Sequence, residues 1–144
     1  MLGEACSALA GMMAQDAEGA TKVANVVVSG ARDDEEAHRA ARKVADSLLV
    51  KCSLNGGDPY WGRVVSELGS AHVGFDPDRV AVAYGGTTVC RDGVAAPHDL
   101  DAVRAHMASS TIDIACDLGL GAGRAVVLTC DLGHGYIDEN RTTS

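Results

Sequence analysis

Between Lys51 and Arg63 the chain places its only Trp, one of its three Pro and three of its Gly in a single polar stretch, Lys-Cys-Ser-Leu-Asn-Gly-Gly-Asp-Pro-Tyr-Trp-Gly-Arg. No regular element runs through it. Gly adopts backbone angles closed to other residues and Pro has no amide hydrogen, so Asn55-Gly56-Gly57-Asp58-Pro59 reads as a loop between a helical pattern and the apolar Val64-Val65. Local chemistry leaves two readings open. The stretch starts a helix whose Trp61 plugs the core, or it is a turn that places functional groups.

With 144 residues, 47% of them hydrophobic, the sequence is long enough for one domain with its own core, since domains commonly hold roughly 100–150 residues. The expected organisation is a single domain over 1–144. Only five residues are aromatic, three Tyr, one Trp and one Phe, so Ala, Val and Leu fill that core. A net charge of −8, with Lys and Arg interleaved among acids, makes nucleic acid an unsuitable partner. No apolar run approaches the roughly 20 residues that span a bilayer, and Met1 is not followed by a basic region and signal core. Cys6, Cys52, Cys90, Cys116 and Cys130 are odd in number and show no paired metal-ligand spacing, which suits a reduced cytosolic setting. The five His are scattered too, and no metal is expected.

Apolar residues from Leu2 to Met13 recur at helical spacing up to Gln15, and a chain that begins inside a helix suggests that something precedes it. Val23 to Ser29 reads as a buried strand, and Asp33 or Asp34 caps a helix that runs through Leu48. A short helix follows from about Trp61 to Leu68. Arg79 to Tyr84 and Thr87 to Cys90 flank Gly85-Gly86 as a hairpin, and Asp99 to Met107 is another helix. Thr111 to Leu118 and Arg124 to Leu132 are strands, expected to be joined by a hairpin turn at Gly119 to Gly123. The fold class is α+β, a largely antiparallel sheet with packed helices.

Asp16 to Lys22 gathers a carboxylate, a Gly, a hydroxyl and an ammonium into one turn, able to grip the charged ends of an amino acid or simply to stop a helix. It lacks the second Gly of a phosphate loop. Cys52 or Cys130 would act as a nucleophile only with a His beside it, and a structural cysteine is the favoured reading. The Gly-rich tail from Asp131 to Asn140 either folds back onto a pocket or ends a final strand and frays.

Four elements in order, covering essentially the whole chain, resemble the ornithine acetyltransferases, also called glutamate N-acetyltransferases, of the arginine pathway. They are Asp16 to Lys22 with Val28-Ser29-Gly30-Ala31; Leu49-Val50-Lys51-Cys52 with Gly56 to Arg63; Asp117-Leu118; and Cys130-Asp131-Leu132 with Tyr136 to Asn140. The resemblance is to the C-terminal part of the family's β chain, with Cys52 where the family has Thr and Tyr60 where it has Asn. It implies acetyl transfer from N-acetylornithine to glutamate by a ping-pong route, without a cofactor. In the family a self-cleaved precursor exposes an N-terminal Thr nucleophile, an oxyanion hole stabilises the tetrahedral intermediate, and α and β chains form an α2β2 assembly. The Thr and the oxyanion pair belong to upstream regions, so no catalytic residue is assigned within 1–144. Glu18 and Asn140 match substrate-binding positions, with Thr143 or Ser144 in place of a C-terminal Thr or Ser. An uncovered apolar face on the first helix would mark missing α-chain and β-chain segments. The rival readings are an amino-acid-binding or regulatory module, a decayed fragment, and a stand-alone cysteine enzyme using Cys52 or Cys130.

Overall fold

The structure is a computed structural model that describes residues 2–141. Helix α1 (Leu2–Gln15) leads through a turn into strand β1 (Val23–Ala31), where five β-branched or small apolar residues are buried. Helix α2 (Asp34–Asp46) starts as its sequence dictates. The Asp33 carboxylate accepts the Glu36 amide at 2.8 Å, and Asp34, Glu35 and Glu36 occupy the first turn, where the helix dipole favours negative charge. Its buried face is Ala37, Ala40, Ala41, Val44 and Ala45, small side chains that let the helix lie close over β1 and β6.

The helix expected to reach Leu48 stops two residues sooner. Ser47 turns to an extended conformation, and its hydroxyl caps a separate helix, α3 (Leu48–Gly56), through the Val50 amide. Asn55 and Gly56 are therefore helical, and the loop begins only at Gly57. That Gly, at φ +68, ends α3 with its N–H and the Asp58 N–H returned to carbonyls of the last turn. Arg63 then holds the turn closed, donating to the Leu49 carbonyl at 2.9 Å and pairing with Asp58 at 3.4 Å. Helix α4 (Trp61–Gly69) follows and buries Val64 and Leu68, with Trp61 packed against the core at its start. The polar stretch thus joins two helices and seats the Trp.

Strands β2 (Ala81–Tyr84) and β3 (Thr87–Arg91) form the expected hairpin, extended by a short β4 (Val94–Ala95). Helix α5 (Leu100–Met107) is capped by Asp99, and β5 (Thr111–Asp117), β6 (Gly123–Cys130) and α6 (His134–Asn140) complete the chain. The six strands lie in the order β4-β3-β2-β5-β1-β6. Every neighbouring pair is antiparallel except β1 with β5.

That order overturns the hairpin expected at Gly119 to Gly123. β1 lies between β5 and β6, so the glycine-rich connection crosses over its end: the Leu120 and Gly121 amides donate to the Gly30 carbonyl at 2.7 and 2.9 Å. A Cβ on Gly123 would meet the Asp33 backbone, which is why this crossing is built of glycine.

One face of the sheet carries the core. Val26, Val28, Ile112, Ile114, Cys116, Val82 and Tyr84 are buried there with α2, α4 and α5 residues, each Val or Leu worth about 1.5–3 kcal/mol relative to exposure. The opposite face keeps Asp113, Ala115 and Asp117 exposed.

Candidate functional site

The turn after α1 is fixed by a buried carboxylate at the far end of the chain. Asp131, 3% exposed, accepts the Thr21 amide at 2.8 Å, the Lys22 amide at 3.0 Å, the Thr21 hydroxyl at 2.6 Å and the Asn55 side-chain amide at 2.8 Å. Burial alone would raise its pKa. The Thr21 and Asn55 side chains and the two backbone N–H groups outweigh that and hold the carboxyl below its ordinary range. Lys22 completes the clasp. Its ammonium donates to the Leu54 and Met107 carbonyls, each at 2.8 Å, and so ties the turn to the ends of α3 and α5.

Glycines let α6 approach the same turn. Gly19 sits at φ +67, and a Cβ there would run into the backbone of Gly135 and Tyr136. A Cβ on Gly133 would likewise meet the Asn55 side chain. The tail after Cys130 is thus neither strand nor frayed end: β6 stops short of Leu132, and the chain folds back as α6. A seven-residue helix with no side-chain cap and no buried residue gives little periodic signal, which is why its sequence did not reveal it.

This fold-back brings Glu18 and Asn140 together across 122 residues, the Asn140 amide donating to the Glu18 carboxylate at 3.2 Å and to the Tyr136 carbonyl at 2.8 Å. Glu18 opens onto a cavity of about 440 Å³ that Leu48 and Lys51 of α3, Cys130, Asp131, Leu132 and Tyr136 also line. A carboxylate suits an ammonium or amide N–H, and an amide can pair with carbonyl, carboxylate or N–H groups. The arrangement can therefore hold an amino acid or its amide. Thr143 and Ser144 lie outside the described residues. Trp61, Tyr60 and Arg63 do not line this cavity.

The family model described as the ArgJ family matches residues 1–143. The chain belongs to the ArgJ family. It is 46% identical over 139 residues to the arginine biosynthesis bifunctional protein ArgJ of Mycolicibacterium paratuberculosis, covering 96% of this chain and 34% of that one. It is 49% identical over 133 residues to the protein of the same name from Gluconobacter oxydans, covering 92% and 31%. The crystal structure of arginine biosynthesis bifunctional protein argJ from Bacillus halodurans superposes with a TM-score of 0.93 at 30% identity, covering 97% of this chain and 66% of that one. The chain thus spans about a third of the length of the curated relatives it matches. The relatives it matches are named as proteins of arginine biosynthesis, and the α+β class with a mainly antiparallel sheet stands.

The cysteines of this ArgJ-family chain divide by burial. Cys116 is buried and desolvation pushes its thiol up to about 12; burial raises Cys90 as well, so both stay protonated and inert. Cys52, expected to be structural, is exposed instead. It lines a hollow of about 510 Å³ with His134, but no hydrogen bond joins the two. Cys130 has Lys51 beside it, at 4.0 Å, rather than a His. Among the described residues no group of three or more His, Cys, Asp or Glu is placed to hold a metal ion, and no helix is long and apolar enough to cross a membrane.

The sequence did not single out Asp131 or Asn55 as site-building residues. The Cys130-Asp131-Leu132 tripeptide was visible as part of the resemblance, but its function as an acceptor for the Thr21 turn depends on contacts across more than 100 residues.

Proposed function

We propose that this chain supplies the substrate-binding part of a glutamate N-acetyltransferase of the ornithine acetyltransferase type, moving an acetyl group from N-acetylornithine to glutamate in arginine biosynthesis. The observation that carries the reading is the contact of Asn140 with Glu18, which itself lines the cavity; both stand at positions that resemble substrate-binding positions of the family. Residues 1–144 act as one domain, the C-terminal part of a β chain. Catalysis requires the rest of the family's length, on this polypeptide or another.

The reaction follows from that division. A Thr hydroxyl in the upstream part attacks the acetyl carbonyl of N-acetylornithine, with the Thr amine as base and an oxyanion hole taking the developing charge. Ornithine leaves, an acetyl-threonine remains, and the amine of glutamate then takes the acetyl group. Glu18 and Asn140 fix the amino acid so that its nitrogen faces the Thr. No step requires a cofactor.

Two uncovered apolar surfaces support an assembly with α-chain and β-chain segments, of the α2β2 kind. On α1, Leu9, Met12 and Met13 are 59%, 65% and 76% exposed. On the open face of the sheet, Val126 is half exposed and lies in register with Val27, itself opposite Ala115. Contiguous patches of this kind mark interaction surfaces. The cytoplasm is the matching compartment for such an enzyme.

In the enzyme completed with the family's remaining length, Glu18→Ala is expected to lower kcat/KM for N-acetylornithine at least about tenfold, the loss of a charge-assisted hydrogen bond. Thermal unfolding of the chain should change little, because Glu18 is not part of the buried core. Equal kinetics for variant and parent would remove Glu18 from the site.

A further inference from the structure

Lysine is scarce in this chain, and its three copies have different surroundings. Lys22 is tied to two backbone carbonyls, and Lys43 pairs with Glu67 at 3.6 Å. Lys51 has neither kind of partner among the described residues; its nearest polar contact is the Cys130 sulfur at 4.0 Å, a weak acceptor. Yet its backbone is anchored on both sides. The Lys51 amide donates to the carbonyl of Ser47, the cap residue of α3, and its own carbonyl accepts the Leu132 amide at 3.2 Å. The half-buried side chain lines the same cavity as Glu18.

Resting on the function proposed above, we infer that Lys51 is the residue that recognises the α-carboxylate of the bound amino acid. Among the described residues that line the cavity, Glu18 and Asp131 carry the negative charge and Lys51 the positive. Asp131 already accepts four hydrogen bonds, which leaves Glu18 as the anion for the ligand's nitrogen end and Lys51 as the cation for its carboxylate. N-acetylornithine and glutamate each present an α-carboxylate, so one ammonium serves both halves of a ping-pong exchange. Lys51 thereby determines specificity for acids over their neutral amides, while the acetyl group is moved elsewhere.

The test compares N-acetylornithine with its α-carboxamide in the completed enzyme, for the parent, Lys51→Met, Lys51→Arg and Glu18→Ala. Met keeps the unbranched stem without the charge. Lys51→Met is expected to lower kcat/KM for the acid about tenfold or more and leave the carboxamide nearly unchanged, so that the parent's preference for the acid disappears. Lys51→Arg should restore most of that preference. A general packing defect would weaken both ligands in proportion. If Lys51→Met affects acid and carboxamide equally or affects neither, while Glu18→Ala impairs both, the assignment of Lys51 fails and the cavity stands. If Glu18→Ala is also without effect, the cavity fails as the substrate site and Lys51 with it.

Discussion

Asp131→Ala is expected to lower the unfolding free energy of the chain by about 3 kcal/mol, measured by urea denaturation at neutral pH. The substitution removes the acceptor for the Thr21 and Lys22 amides, the Thr21 hydroxyl and the Asn55 side chain. Hydrogen bonds to a charged group are each worth about 1.5–3 kcal/mol, and they are not additive when they share one carboxylate. Asp131→Asn should be milder, because an amide oxygen retains the two backbone donors. The two variants also separate charge from shape. The native carboxyl titrates below its ordinary value of 3.8, so its ionised form contributes stability above that value and loses it as pH falls through the lower native pKa. The deficit of Asp131→Asn relative to the parent is therefore largest at neutral pH and shrinks in acid. A deficit that stays constant from neutral pH to acid would show that the charge contributes nothing.

Gly19→Ala is expected to cost function more than any single side-chain deletion at the site, at least about a hundredfold in kcat/KM of the completed enzyme, the scale reached when a reacting group is misplaced by an ångström. At φ +67 an alanine is strained, and its methyl group would occupy the place of the Gly135 and Tyr136 backbone. The sheet does not yield, because Thr21 and Lys22 are bound to Asp131 only two and three residues away. Helix α6 yields instead, since it buries no residue of its own. Its departure separates Asn140 from Glu18. Hydrogen exchange reads this directly: the amides of the last turn of α6, Asp138 to Arg141, should lose protection while those of β1 and β5 keep theirs. Unchanged protection in α6 would mean that the close contact with Gly19 is not what holds it.

Local chemistry made the helices and the tight hairpin legible. The Asp33 cap with its acidic first turn, Asp99 before Leu100, and Gly85-Gly86 between two alternating runs each determine their own geometry. What local chemistry could not reveal was the placement of β1 between β5 and β6, because the same glycines serve a two-strand turn or a crossing over a third strand. Their use here is decided by the Gly30 carbonyl, about 90 residues away. Ser47 concealed a helix boundary by ending one helix and capping the next.

The site divides the same way. Glu18 and Asn140 were found through resemblance, since neither carries a local signature, and their contact exists only because α6 folds back onto the Gly19 turn. Lys51 lies in the Leu49-Val50-Lys51-Cys52 motif, which by itself assigns it no role. Its meaning comes from the contrast with Lys22 and Lys43, which depends on contacts between elements.

The decisive measurement is ornithine release from N-acetylornithine plus glutamate, followed for the chain alone and for the chain combined with the family's remaining length. Turnover should appear only in the combination and fall sharply when the combination carries Glu18→Ala. Turnover by the chain alone, or a combination in which Glu18→Ala works at the parent's rate, would contradict a substrate-binding part that depends on an upstream threonine.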